Sequence, residues 1–289
     1  TMDTATTESV MISAVTYADD EASITLTEEQ MREQAEDMTI HNQKFGQQTH
    51  KNKKKNKTKV MVVHGIKQNK DDIDTKKSVK ITKMYDDDEE GEYKYTTSMT
   101  HIGILFEDSW SFINHRKKKI HLANQEWKNS RHILQNAAVD IDTKMAVYTR
   151  YILPHLLHGS ELYPLSTILP IIKFHDRCIR EMYGYKTVQD MEDEGEDQND
   201  VRIQMGDISM ETHLQKRLLQ WVGRAIRKKK LGYYALKGVL NVDNTSKTNI
   251  KPTATDIRIS EALKAMGTTM EAIYKIQNIH ITQQINNKK

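Results

Sequence analysis

The sequence predicts an α+β protein, with a strand-bearing part over residues 1–107 and a mostly helical remainder. Two observations carry this. Residues 10–26, VMISAVTYADDEASITL, place apolar, β-branched runs on either side of Asp19-Asp20, the period-two pattern of a β-hairpin with acids at its turn. From Ser111 onward the spacing changes, and Ile113, Ile120, Ala123, Trp127 and Leu134 recur at helical intervals.

Composition sets the bounds. The 289 residues suffice for one large domain or two small ones. Hydrophobic content of 37% and charged content of 29% place the chain among globular proteins, on the polar side. The net charge of +3 does not announce a nucleic-acid binder. Its distribution says more, because basic blocks (residues 51–59 and 224–230) alternate with acidic ones (86–92 and 192–200). The single cysteine, Cys178, excludes an internal disulfide and a cysteine zinc knuckle. No apolar leader precedes Val10, and no apolar run is long enough for a membrane span. An intracellular protein without membrane contact is expected, with nucleus and cytoplasm left open.

In chain order, the hairpin comes first. Adjacent carboxylates repel, so their pairing is tolerable in solvent or around a cation. Mg²⁺ is such a cation, and it leaves room for substrate phosphates. An ordinary polar turn is the other reading. Thr27 is a candidate N-cap for a helix running to about Phe45, with Gly46 as its C-terminal stop and Glu28 and Glu29 in its first turn. After the lysine-rich loop, Val60-Met61-Val62-Val63 reads as a strand, as does Thr100 to Phe106 with Gly103 inside it. A glycine within a strand marks close backbone approach. Residues 65–99 read as a solvated loop ending in an acidic run.

Beyond Ser111 a first helix reaches Leu134. A second covers about Thr143 to Leu153 and is bent or ended by Pro154. Ser166 is a candidate cap for a helix carrying Ile168, Ile172, Cys178, Ile179 and Met182, closed by Gly184. A second acidic loop leads to an amphipathic helix over residues 213–230, with Leu214, Leu218, Val222 and Ala225 on one face and Arg217, Arg224 and Lys228 on another. His155 and His158 have a metal-like spacing, but no cysteine or acid pattern accompanies them, which favours ordinary core or surface positions. The three tryptophans suit packing better than base stacking.

Taken in order, these motifs resemble the later part of non-LTR (LINE-type) retrotransposon reverse transcriptases. Tyr17-Ala18-Asp19-Asp20 matches the family's YADD. Lys57-Thr58-Lys59-Val60-Met61 is similar to its K-T-K-x-M, with Gly46 farther upstream than the pattern places it. The strand around Gly103 resembles the primer-grip strand F-x-Y-L-G, with His101 and Ile102 in place of Tyr and Leu. The segment NHRKKKIHLANQEW corresponds to the first thumb helix. Pro154, Leu157, Gly159, Glu161 and Leu165 match P-x-L-L-Y-G-x-E-x-W-x-L, with His158 and Tyr163 substituted for Tyr and Trp. Phe174-His175-Asp176-Arg177-Cys178-Ile179-Arg180 resembles F-x-R-R-C-L-R, and Arg217 to Arg224 resembles R-L-R-W-L-G-H. The run from Glu261 to Ala272 is similar to D-L-K-x-M-G-x-T-W-E-E-A, with Met270 in place of Trp.

The resemblance implies a late palm over residues 1–107, thumb-like helices over 108–165 and a post-thumb helical region over 166–289. It implies RNA-directed DNA polymerase activity: extension of a DNA primer 3′-hydroxyl with dNTPs on an RNA template. Asp19 and Asp20 would be catalytic ligands of Mg²⁺. Tyr17, Lys57, Lys59 and Gly103 would bind substrate, although a solvated lysine run is the other reading of 51–59. Arg116, Lys117, Lys119, Arg217, Arg224 and Lys228 would hold nucleic-acid phosphates, without base readout. A further metal-binding Asp and the fingers would come from an upstream segment of the same polyprotein, so residues 1–289 alone are expected not to polymerise. The rival reading is a non-catalytic nucleic-acid-binding or structural remnant of such an element. No internal repeat, dinucleotide motif or P-loop is present.

Overall fold

A computed structural model describes residues 14–17, 20–23, 25, 27–44, 59–61, 79–81, 91–93, 95–109, 111–163, 168–228 and 254–265. The chain is α+β and divides into two compact units, Thr1–Ser111 and Phe112–Lys289.

The first unit holds the strands. β1 (Ala14–Tyr17) and β2 (Asp20–Ser23) form an antiparallel hairpin in which Tyr17 pairs with Asp20. α1 (Glu28–Lys44) follows. Thr27 caps it, its hydroxyl accepting from the Gln30 N–H at 3.1 Å. The two first-turn glutamates face the positive end of the helix dipole. Phe45 and Gly46 lie outside the described residues. β3 (Val79–Ile81) pairs antiparallel with β4 (Gly91–Tyr93), so the stretch expected to be loop contains a ladder. The strand expected at Val60 is a single parallel bridge to Tyr95, and Val62 and Val63 lie outside the described residues. The Tyr95 hydroxyl donates to Glu28 at 3.3 Å, which joins that bridge to α1.

β5 (Ser98–His101) and β6 (Ile104–Glu107) correct the expectation of one strand through Gly103. They are the arms of a hairpin in which His101 pairs with Ile104. Ile102 and Gly103 make the turn, with φ of 49° and 72°. Positive φ at both central residues is the signature of a type I′ turn, whose twist matches that of the flanking strands.

The second unit is helical. α2 (Ile113–Leu134) buries Ala123, Trp127 and Leu134 on the stripe that the sequence predicts. α3 (Ile141–Val147) is capped by Asp140, which accepts from the Thr143 N–H at 2.8 Å. Pro154 does not end this helix. A π-helical stretch, Tyr148–Ile152, leads directly into α4 (Leu153–Leu157). The widened turn accommodates a residue that has no N–H to give the preceding turn. A 3₁₀ turn follows at Ser160–Leu162. α5 (Leu169–Tyr183) buries Ile171, Phe174, Cys178, Ile179 and Met182, and closes at Gly184. Ser166 lies outside the described residues.

The second acidic stretch is also not a loop. It folds into α6 (Val188–Asp193) and α7 (Gln198–Gln204), each opened by a capping box: Thr187 with Asp190, and Asp197 with Asp200. The acids are spent on helix N-termini, where their charge is stabilising. Met191, Val201 and Met205 are buried, while Arg202 pairs with Asp176 of α5 at 3.1 Å. α8 (Met210–Lys228) and α9 (Ala254–Ala265) share a core of Leu218, Val222, Ile259 and Leu263. Helices before and after residue 165 belong to one unit. Arg177 of α5 donates to Asn124 of α2 at 3.1 Å, and α3 reaches the end of α5 through Lys144, whose ammonium donates to the Met182 carbonyl at 2.9 Å.

Candidate functional site

Asp20 opens β2 opposite Tyr17, the last residue of β1. Ala18 and Asp19 lie outside the described residues, as does Lys57. Adjacent carboxylates are hard oxygen donors of the kind Mg²⁺ takes, so the donor set fits that ion by type. Lys59 is exposed and stands next to the Val60 bridge. Gly103 occupies the I′ turn and not a strand interior. Its backbone is exposed, and its freedom is used for positive φ.

The basic residues of the helical unit divide. Lys117 is exposed on α2, as are Lys118, Lys128 and Arg131. Arg116 and Lys119 lie on the inward face, each 8% exposed, which corrects their expected outward orientation. Helical geometry sets the division, since positions 116, 119, 123 and 127 fall on one stripe. Burial depresses the Lys119 ammonium pKa, with help from Lys118. Beside it, His115 is fully buried and its Nε2 lies 3.2 Å from the His158 carbonyl. Burial pulls its pKa down to about 4 against the upward pull of that carbonyl; Lys119 adds to the lowering.

On α8, Arg224 is exposed, while the Lys228 side chain lies outside the described residues. Arg217 donates through Nε to Glu161 at 2.8 Å, where the 3₁₀ turn meets α8. These residues come from two of the motifs that carry the family resemblance, and the ion pair joins them. It also leaves the Arg217 guanidinium partly engaged by protein.

The FHDRCIR segment serves mainly packing. Cys178 is fully buried, and that burial pushes its thiol pKa well up. Asp176 holds Arg202, and Arg177 lies over the Phe174 ring at 5.0 Å. His175 is different. Its Nδ1 lies 2.7 Å from the Tyr148 hydroxyl, and both residues are fully buried. Its Nε2 faces Asp207 Oδ2 at 3.3 Å, while Asp207 Oδ1 accepts from His213 Nε2 at 2.9 Å. Gly206, with φ of 65°, ends α7 and turns the chain so that Asp207 lies between α5 and α8. Burial pulls the His175 pKa down to about 4, outweighing the opposing pull of Asp207. Burial raises the Asp207 carboxyl, but the His213 hydrogen bond and the His175 charge outweigh it, and the net shift is downward.

The sequence reading did not find this cluster. Its members stand at positions 175, 207 and 213, so no short-range spacing reveals them. The cue lies in the packing of α5 on α7 and α8, which a linear motif does not express. No helix among the described residues is long and apolar enough to cross a membrane. No family model, curated protein or solved structure matches the chain.

Proposed function

We propose that the chain is the late palm, thumb and post-thumb portion of a non-LTR retrotransposon reverse transcriptase, an RNA-directed DNA polymerase. The observation that carries the reading is the ordered series of motifs from Tyr17-Ala18-Asp19-Asp20 to the Glu261–Ala272 run. The Tyr17–Asp20 pairing supports it, because the first and last residues of the motif lie on paired antiparallel strands. The Arg217–Glu161 pair supports it too, because it brings two of the quoted motifs together.

In this reading Asp19 and Asp20 hold Mg²⁺ together with an Asp from an upstream palm segment. When bound, that ion would supply charge stabilisation to the phosphoryl transfer. The primer 3′-oxygen attacks that phosphorus, loses its proton and forms the new phosphodiester as pyrophosphate leaves. Lys57 and Lys59 offer cations to the incoming triphosphate. Lys117 and Arg224 offer outward charges to template–primer phosphates, in sequence-independent contacts weakened by salt.

The test is primer extension on an RNA template by a polypeptide in which residues 1–289 continue from upstream fingers and palm. Extension is expected in Mg²⁺, with a loss of at least about a hundredfold in Asp19→Ala and Asp20→Ala, the scale of removing a strong transition-state electrostatic interaction. Intact extension in both variants defeats the metal assignment. Salt-sensitive hybrid binding with no extension favours the non-catalytic remnant.

A further inference from the structure

The Tyr148–His175–Asp207–His213 chain has no part in the reading above. We propose that His175, Asp207 and His213 form a binding site for one transition-metal ion of the zinc class. Each of the three residues offers one ligand atom, and all three atoms lie within 4.8 Å of one another. Two imidazole nitrogens and a carboxylate oxygen are a donor set that suits Zn²⁺ and its neighbours and disfavours Mg²⁺. Tetrahedral ligands at zinc distances lie roughly 3.3–3.5 Å apart. Asp207 meets His175 at 3.3 Å through Oδ2 and His213 at 2.9 Å through Oδ1. Binding one ion through all three requires His213, whose side chain is the most exposed of the three at 15%, to give up its hydrogen bond to Asp207 Oδ1.

Two further observations point to a cation. First, His175 Nε2 and Asp207 Oδ2 are both buried and face each other at 3.3 Å, within ion-pair reach but without hydrogen-bond geometry. Buried polar atoms in native proteins are almost always satisfied, and one cation bound by both atoms would satisfy them. Second, the far nitrogen of His175 is tied to the buried Tyr148 hydroxyl. When Nδ1–H donates to that oxygen, the Nε2 lone pair is directed toward Asp207. Such outer hydrogen bonds fix ring orientation and tautomer in metal-binding histidines. Three protein ligands leave a fourth position, which water takes in sites of this kind. The ion would tie the middle of α5 to the first turn of α8 across the Asp207 turn.

The proposal concerns the helical unit and is independent of Asp19 and Asp20. The experiment uses the full chain, stripped with a chelator and titrated with Zn²⁺ by calorimetry, with thermal melting followed by circular dichroism. One equivalent is expected to bind and raise the helical melting temperature, whereas Mg²⁺ at equal concentration leaves that transition unchanged. His213→Gln and Asp207→Asn should each weaken zinc binding at least about tenfold, the scale of losing a metal ligand's support. His155→Gln, outside the cluster, should leave it unchanged. X-ray absorption of the zinc-loaded natural chain provides a test independent of whether the variants fold, and should report two imidazoles with oxygen. The proposal fails if the natural chain shows no zinc-dependent shift, if fewer than two imidazoles coordinate, or if folded His213→Gln and Asp207→Asn bind as tightly as the natural chain.

Discussion

His115 shows how a single residue's burial becomes a property of the whole helical unit. Its pKa is about 4 in the folded chain, against about 6.5 for an ordinary histidine. Between those values the unfolded chain takes up a proton that the folded chain refuses. The His115 contribution is therefore fully present above pH 6.5 and is lost as pH falls toward 4. One such proton is worth about 1.4 kcal/mol per pH unit within that window. Chemical unfolding at pH 7, 6 and 5 should show stability falling with acid. His115→Gln should remove about one proton's worth of that slope, whatever it does to the stability itself. An unchanged slope would show that His115 does not titrate as its burial implies. Arg116 and Lys119 give the related lesson for reading sequences. The run Arg-Lys-Lys-Lys looks uniformly solvated, yet the helix turns two of its members inward. Only the three-dimensional stripe, which Ala123 and Trp127 continue, tells them apart.

Among the elements, the β5–β6 hairpin carries a visible conflict. Its type I′ turn demands positive φ at two positions, and Ile102 occupies the first at 49°. A β-branched residue there is strained, whereas asparagine before glycine is the favoured pair. Ile102→Asn should therefore stabilise the hairpin by roughly 1 kcal/mol, and Gly103→Val should cost roughly 1–2 kcal/mol. Amide exchange across Ser98–His101 and Ile104–Glu107 would register both changes, and a destabilised Ile102→Asn hairpin would rule out the turn assignment. The same conflict explains why the sequence reads here as one strand. A β-branched residue hides a turn that Asn-Gly would announce. The acidic stretch misleads for a different reason, since its aspartates look solvated and instead cap α6 and α7. Elements with strong local signals were legible: the β1–β2 hairpin, the Thr27 cap, the apolar stripes of α2 and α8, and the Gly184 stop.

At the scale of the whole molecule, the division after Ser111 follows the change of hydrophobic period, and both sides of residue 165 fold into one unit. Residues 112–289 produced alone should keep their helical circular dichroism and melt cooperatively, because α2 and α5 bury each other's apolar faces. Loss of helix on excision would show that the first unit supports the second. The α+β class could be read from periodicity, but the meeting of His175, Asp207 and His213 could not, because it depends on how α5, α7 and α8 pack. That packing has another consequence, for covalent chemistry. Lys144 reaches from α3 to the Met182 carbonyl, and its side chain is closed off from solvent. An acylating reagent needs an open approach to the amine, and this one offers none. The lysines thus sort into two chemical populations, with Lys117 and Lys118 open to modification and Lys144 withheld until α3 and α5 separate.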